Sequence, residues 1–146
     1  MAEKAAQSYN NHKKYVPLYH YVLVTIVTLN LLWKLWGLVS DFSFQAVVDA
    51  AMAFCFMAMT YYLRVFPLTA QDRLIRLEET LRMQRLLPAE LQDRIGELRR
   101  RHFVALRFAS DGELADLVSR VLDGELNSGA EIKKAIQTWR PDHLRV

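Results

Sequence analysis

Two apolar runs near the front of the chain, Leu18 to Val39 and Phe44 to Phe66, leave fewer folds open than any other feature of the sequence. Each holds about 22 residues, and at ~1.5 Å per residue a helix of that length measures about 33 Å, enough to cross a hydrocarbon core of ~30 Å. The short link Ser40-Asp41-Phe42-Ser43 can only reverse the chain. Two antiparallel membrane-spanning helices are therefore expected. A cleaved leader is the competing reading of the first run, but that run exceeds the ~7 to 15 apolar residues usual in leaders and no Ala-x-Ala pattern follows it. It is read as an anchor.

The chain has 146 residues and a mean hydropathy of +0.01, an average of a very apolar third and a strongly charged remainder. Three divisions follow: an N-terminal arm over 1–16, a transmembrane hairpin over 17–67 with spans at about 18–39 and 44–66, and a helical domain over 68–146. Charge assigns their sides. Lys4, Lys13 and Lys14 precede the first span, Arg64, Arg73 and Arg76 close or follow the second, and the turn carries Asp41 without Lys or Arg. Positive flanks stay on the cytoplasmic side, so both termini are expected there and the turn outside. Tyr15, Tyr19 and Tyr21 at the entry, Trp33 and Trp36 at the far end, and Tyr61 and Tyr62 on return fit the two interfacial belts.

Asn30, Lys34 and Asp49 interrupt the runs. Lys34 and Asp49 are equally far from the turn, so a symmetric hairpin puts them at one depth with opposite charge. Charges are costly within a span, and pairing reduces that cost. The other reading sends the Lys34 stem to the outer headgroups while Asp49 meets water. Ala46, Ala50 and Ala53, with Ala58 beyond, lie at helical spacing and permit close approach of another helix. The lone cysteine, Cys55, has no disulfide partner in the chain and is read as a packing residue.

From Leu68 onward the pattern is that of soluble helices. Thr69, Ser110 and Ser128 each precede an acid by three residues, at Asp72, Glu113 and Glu131, the arrangement of a hydroxyl N-cap with an acid in the first turn. Pro88 before Ala89 marks a further start. Four helices are expected: 70–87 with Leu74, Leu77 and Leu81 as its buried face, 89–107, 111–123 ending at Gly124, and a last one stopping before Pro141. The ~3.6-residue period appears in all four and no segment alternates as a strand does. The fold class is all-α, a two-helix transmembrane hairpin followed by a cytoplasmic domain of about four helices.

Motifs for chemistry are missing. His12, His20, His102 and His143 have no metal-ligand spacing, the glycines form no phosphate loop, and no nucleophile elbow occurs. Glu78 and Glu79 lie among Arg73, Arg76, Arg82 and Arg85 and read as a solvated face crossed by ion pairs. Catalytic, cofactor and metal residues are therefore not assigned. Arg99, Arg100 and Arg101 form the densest positive run, read first as a solvated helix face and second as a candidate contact for anionic lipid headgroups or a partner. Residues 68–146 carry 14 Lys and Arg against 13 Asp and Glu, so no nucleic-acid partner is expected. Phe103, Leu106, Phe108 and Trp139 exceed what one stripe per helix needs, and a second chain, the membrane surface or a partner protein is expected to cover part of them, with self-association the simplest source of cover.

The segments Arg107-Phe108-Ala109-Ser110-Asp111-Gly112-Glu113-Leu114 and Ile132-Lys133-Lys134-Ala135-Ile136-Gln137-Thr138-Trp139-Arg140, with Tyr9-Asn10-Asn11-His12 at the start, give the chain a likeness. It resembles a family of uncharacterised small bacterial inner-membrane proteins with two spans and a cytoplasmic helical tail, sometimes labelled transporter permeases. The resemblance implies a bacterial inner membrane and no particular mechanism. Two spans alone cannot enclose a substrate path. The expected role is a membrane anchor whose tail is an interaction module, in a homo-oligomer or as the accessory subunit of a membrane complex. A small oligomeric pore using Asn30, Lys34 and Asp49 is the alternative, and a membrane-surface enzyme the third.

Overall fold

A computed structural model describes residues 8, 9 and 15–142. Lys4, Lys13, Lys14, His12, His143 and most of the N-terminal arm lie outside the described residues. Six α-helices and no strand occur among the described residues: α1 (Leu18–Ser40, whose first turns, Leu18–Leu23, are π-type), α2 (Phe44–Leu86), α3 (Ala89–Gln92), α4 (Arg100–Leu106), α5 (Leu114–Leu122) and α6 (Gly129–Ala135). The chain is all-helical. Its described residues form two compact units, 15–68 and 69–142.

In the first unit α1 and the 44–68 part of α2 run antiparallel, and two side-chain contacts fix their register. The Tyr19 hydroxyl donates to the Thr60 carbonyl near one end, and Lys34 donates to Asp49 near the other. The inner face of α2 is Ala46, Asp49, Ala50, Ala53 and Thr60, with Ala50 and Ala53 buried. Small side chains there let two backbones approach. Thr28 and Thr60 return their hydroxyls to the carbonyls four residues back, so neither leaves a polar group unmet. Both helices are long and apolar enough to cross a membrane by length and composition.

The second unit is built around one core. Met83, Phe103, Leu106, Phe108, Leu114, Leu117, Val118 and Ile132 are almost completely enclosed, and α4 packs against both α5 and α6. Ser128 caps α6 as its spacing predicts: its hydroxyl accepts from the Glu131 N–H at 3.2 Å, and the Glu131 carboxylate accepts from the N–H of Ser128 and of Asn127. Gly124 follows α5 at φ +80°, a left-handed conformation that glycine adopts without a Cβ penalty.

Four expectations are corrected. Thr69 starts no helix, because α2 continues from Phe44 to Leu86 through Pro67; proline removes one backbone bond there and the flanking turns keep theirs. The expected helix over 89–107 is three pieces, α3, a 3₁₀ turn at Ile95–Glu97, and α4. Ser110 is not an N-cap, since α5 begins at Leu114, although Glu113 does accept from the Ser110 N–H. On α2 the leucines are exposed and Ile75, Glu79, Arg82 and Met83 are buried instead. The apolar count favoured the leucine stripe, while the domain grips the face where two charges find partners.

Candidate functional site

The polar groups of the second unit converge on Arg82, which α2 places one turn beyond Glu79. Both are buried, at 4% and 5% exposure. The guanidinium is shared among three acceptors: Nη1 donates to Glu79 Oε2 at 2.9 Å, Nε to Asp111 Oδ1 at 2.8 Å, and Nη2 to the Ala109 carbonyl at 2.8 Å. A planar cation with five donors suits such a junction better than an ammonium would. Arg82, beside Asp111, holds its carboxyl below the usual range. The second Glu79 oxygen faces Arg140 at 3.5 Å.

A second junction holds the C-terminal segment. The Glu113 carboxylate accepts from the backbone N–H of Ser110, Gln137 and Thr138. Burial pushes its pKa up, and these bonds, led by that from Gln137, outweigh burial and leave it below the ordinary value. Backbone bonds from Ser110 to Thr138 and from Arg140 to Phe108 make a single antiparallel bridge, Ala109 with Trp139. Trp139 lies against Phe108 with ring centroids 5.1 Å apart, and the Arg107 guanidinium sits 4.6 Å from the Phe108 centroid and 3.4 Å from Asp142.

Two open clefts border this network. One, of about 530 Å³, is lined by Arg82, Arg85, Ser110, Asp111 and Arg140 with Leu86. The other, of about 450 Å³, has Glu78, Glu79, Arg107 and Asp142 among its walls. Arginines outnumber carboxylates in both linings, and the described residues contain no group of three or more His, Cys, Asp or Glu able to hold a metal.

The residues singled out in the sequence are scattered. Lys34 Nζ lies 2.8 Å from Asp49 Oδ2, and Gln45 donates to the other oxygen at 2.8 Å. Asn30, one turn before Lys34 on α1, is exposed. Arg99, Arg100 and Arg101 are all exposed, with Arg100 at 3.8 Å from Asp72. His102, next to them, is buried, and its Nδ1 accepts from the Arg99 N–H at 3.2 Å. Burial first, then the charges of Arg101 and Arg99, hold the His102 imidazole below its ordinary pKa.

Phe103, Leu106 and Phe108 call for a correction. Their exposures of 1%, 0% and 0% come from this chain's own helices, and Trp139 is half-buried on Phe108, so a second chain has no exposed surface of the first three to cover. The reason is topological: α4 lies between α5 and α6 and is covered on several sides. The junction of Glu79, Arg82, Asp111 and Arg140 escaped sequence reasoning because its members are up to 61 residues apart. The local signal was the spacing of Ile75, Glu79, Arg82 and Met83, a helical face in its own right.

No curated protein and no solved structure matches the chain. Over its whole length, residues 1–146, it matches the model of DUF6526, a family of unknown function, and to that family it belongs.

Proposed function

We propose that the chain is a two-span anchor of a bacterial inner membrane, with both termini cytoplasmic and a helical tail that serves as an interaction module, in a homo-oligomer or as an accessory subunit. One observation carries the membrane reading. Large apolar side chains cover the outside of α1 and the first part of α2, with Leu18 and Trp33 at 72%, Leu29 at 61% and Phe54 at 65% exposure. Leaving a single such side chain in water forgoes roughly 1.5 to 3 kcal/mol, and a contiguous set of them favours an apolar solvent.

The inner faces agree with that solvent, since Thr28, Thr60, Tyr19, Lys34 and Asp49 all have partners within the hairpin. Mutual pairing of Lys34 and Asp49 also weakens the pore alternative, because the two charges a path would use are turned toward each other. The tail supports an interaction role through its mixed-charge clefts and exposed apolar stripe.

Fractionation tests the anchor: the chain should stay in membranes washed with alkaline carbonate. In a Cys55→Ala background, an impermeant thiol reagent added to intact cells should label Ser40→Cys and leave Ser128→Cys untouched. The reverse labelling would invert the topology, and recovery in the carbonate supernatant would end the membrane reading.

A further inference from the structure

The 69–86 part of α2 has two faces, and only one is used by its own domain. Ile75, Glu79, Arg82 and Met83 are buried there. On the other side Leu74, Leu77 and Leu81 are exposed at 54%, 57% and 53%. With Ala70 and Gln84, both also exposed, they follow a spacing of four, three, four and three residues. That is the a/d spacing of helices wound left-handedly about one another, with Leu74 and Leu81 at a, and Ala70, Leu77 and Gln84 at d. The buried residues occupy the b, c and f positions, so the seam lies opposite the face already covered.

The flanking charges select the occupant. In this register Arg73 is at g and Glu78 at e of the following heptad, the two positions that meet across a parallel pair of identical helices. Both side chains are exposed, and neither forms an ion pair within the chain among the described residues. In a parallel homodimer each Arg73 faces the other copy's Glu78, twice by symmetry, while Thr80 at g meets Arg85 at e without like-charge conflict. We propose that this stripe is the self-association surface of the protein, a parallel pairing of α2 with α2 of a second copy over residues 70–84.

The parallel sense rests on the membrane-anchor reading, which gives every copy the same orientation. Two heptads are short for a free coiled coil. Here the helix is already formed on its own domain, and confinement of both copies to one membrane raises their effective concentration, so neither helix folding nor a bulk encounter opposes pairing. A lipid surface is a poorer occupant of the stripe. A helix lying on anionic lipid carries cations along its polar margins, whereas one margin here holds Glu78.

The test uses the full-length chain in native membranes with Cys55→Ala. Leu74→Cys, Leu77→Cys and Leu81→Cys, each alone, should form disulfide-linked dimers under mild oxidation, and Arg76→Cys, exposed but off the seam, should not. An antiparallel pair would instead join Leu74→Cys to Leu81→Cys only in mixed samples. Arg73→Glu or Glu78→Arg should each reduce the Leu77→Cys cross-link, and the two together should restore it. All these side chains are exposed, so the tail remains folded.

Absence of dimers at the three seam positions in carbonate-washed membranes would overturn the surface while the anchor stands. So would cross-linking to a different polypeptide, labelling of the three positions by a lipid-confined photoreactive probe, or equal dimer yield from Arg76→Cys. Recovery of cross-linked dimers in the carbonate supernatant would keep the seam and remove the anchor. Supernatant chain without dimers would remove both.

Discussion

Arg82 joins α2 to the loop that carries Ala109 and Asp111, and one guanidinium meets acceptors from both. Removing one member of a buried ion pair leaves the other charge without its compensation. Arg82→Ala should therefore lower the stability of the tail by about 3 to 5 kcal/mol in denaturant titration. Arg82→Met with Glu79→Leu should cost less than Arg82→Ala, because an apolar pair strands no buried carboxylate. A second residue-scale prediction concerns pH. Burial, then Arg101 and Arg99, hold His102 below its ordinary value of 6.5, opposed weakly by the Asn127 backbone. The unfolded chain takes up the proton first, so this contribution is complete above about pH 6.5 and drains as pH falls below it. The melting temperature should drop between pH 7.5 and pH 5, and His102→Gln should flatten that part of the profile. Glu113, an acid with a lowered pKa, contributes above its ordinary 4.5 and is lost only at more acid pH, so the two effects separate along the axis.

Among the elements, the C-terminal end of α5 and the start of α6 behave as their sequences predict, since a cap is a local event. Ser128→Ala removes an acceptor for the Glu131 N–H and should cost about 1 kcal/mol. Gly124→Ala forces a Cβ into a left-handed residue and should cost about 1 to 2 kcal/mol, although nothing lies within 4 Å of that Cβ. Both are measured by chemical unfolding of the full chain in detergent. The long helix is where local signals misled. Thr69 with Asp72 has the form of a start, and Pro67 before it has the form of a stop, yet the backbone passes through both. A proline costs a helix one bond and some crowding, and the flanking turns retain the rest of theirs. The leucine stripe misled in the same way, because periodicity identifies an apolar face without naming what covers it.

For the molecule as a whole, the membrane reading predicts how Lys34 and Asp49 respond to change. Lys34→Leu leaves Asp49 with Gln45 but without its countercharge, so it should reduce the amount of chain recovered from membranes. Lys34→Leu with Asp49→Leu should recover most of it. Equal loss in both variants would mean that the charges act through water or headgroups and not through each other. The tail's own core is complete, with Phe103, Leu106 and Phe108 enclosed by α4, α5, α6 and their loops. The proposed self-association therefore uses not those residues but the exposed side of α2, where burial of the leucines would stabilise a pair of chains without disturbing either core.

The sequence by itself determined the helical class, two helices of membrane length, their short reversal, the cap at Ser128 and the end of α5 at Gly124. These depend on hydropathy summed over adjacent residues or on groups three to four positions apart, and such quantities are complete before the chain folds. It also put Lys34 and Asp49 at equal distances from the turn. Tertiary structure alone decided that α2 continues past Thr69, that Ile75, Glu79, Arg82 and Met83 face the core while Leu74, Leu77 and Leu81 do not, and that Arg82 gathers Glu79, Asp111 and Ala109. Which face of a helix is buried depends on the free energy of every group that meets it. A guanidinium and a carboxylate count as polar in any local window, and they become core residues only when distant segments bring them partners.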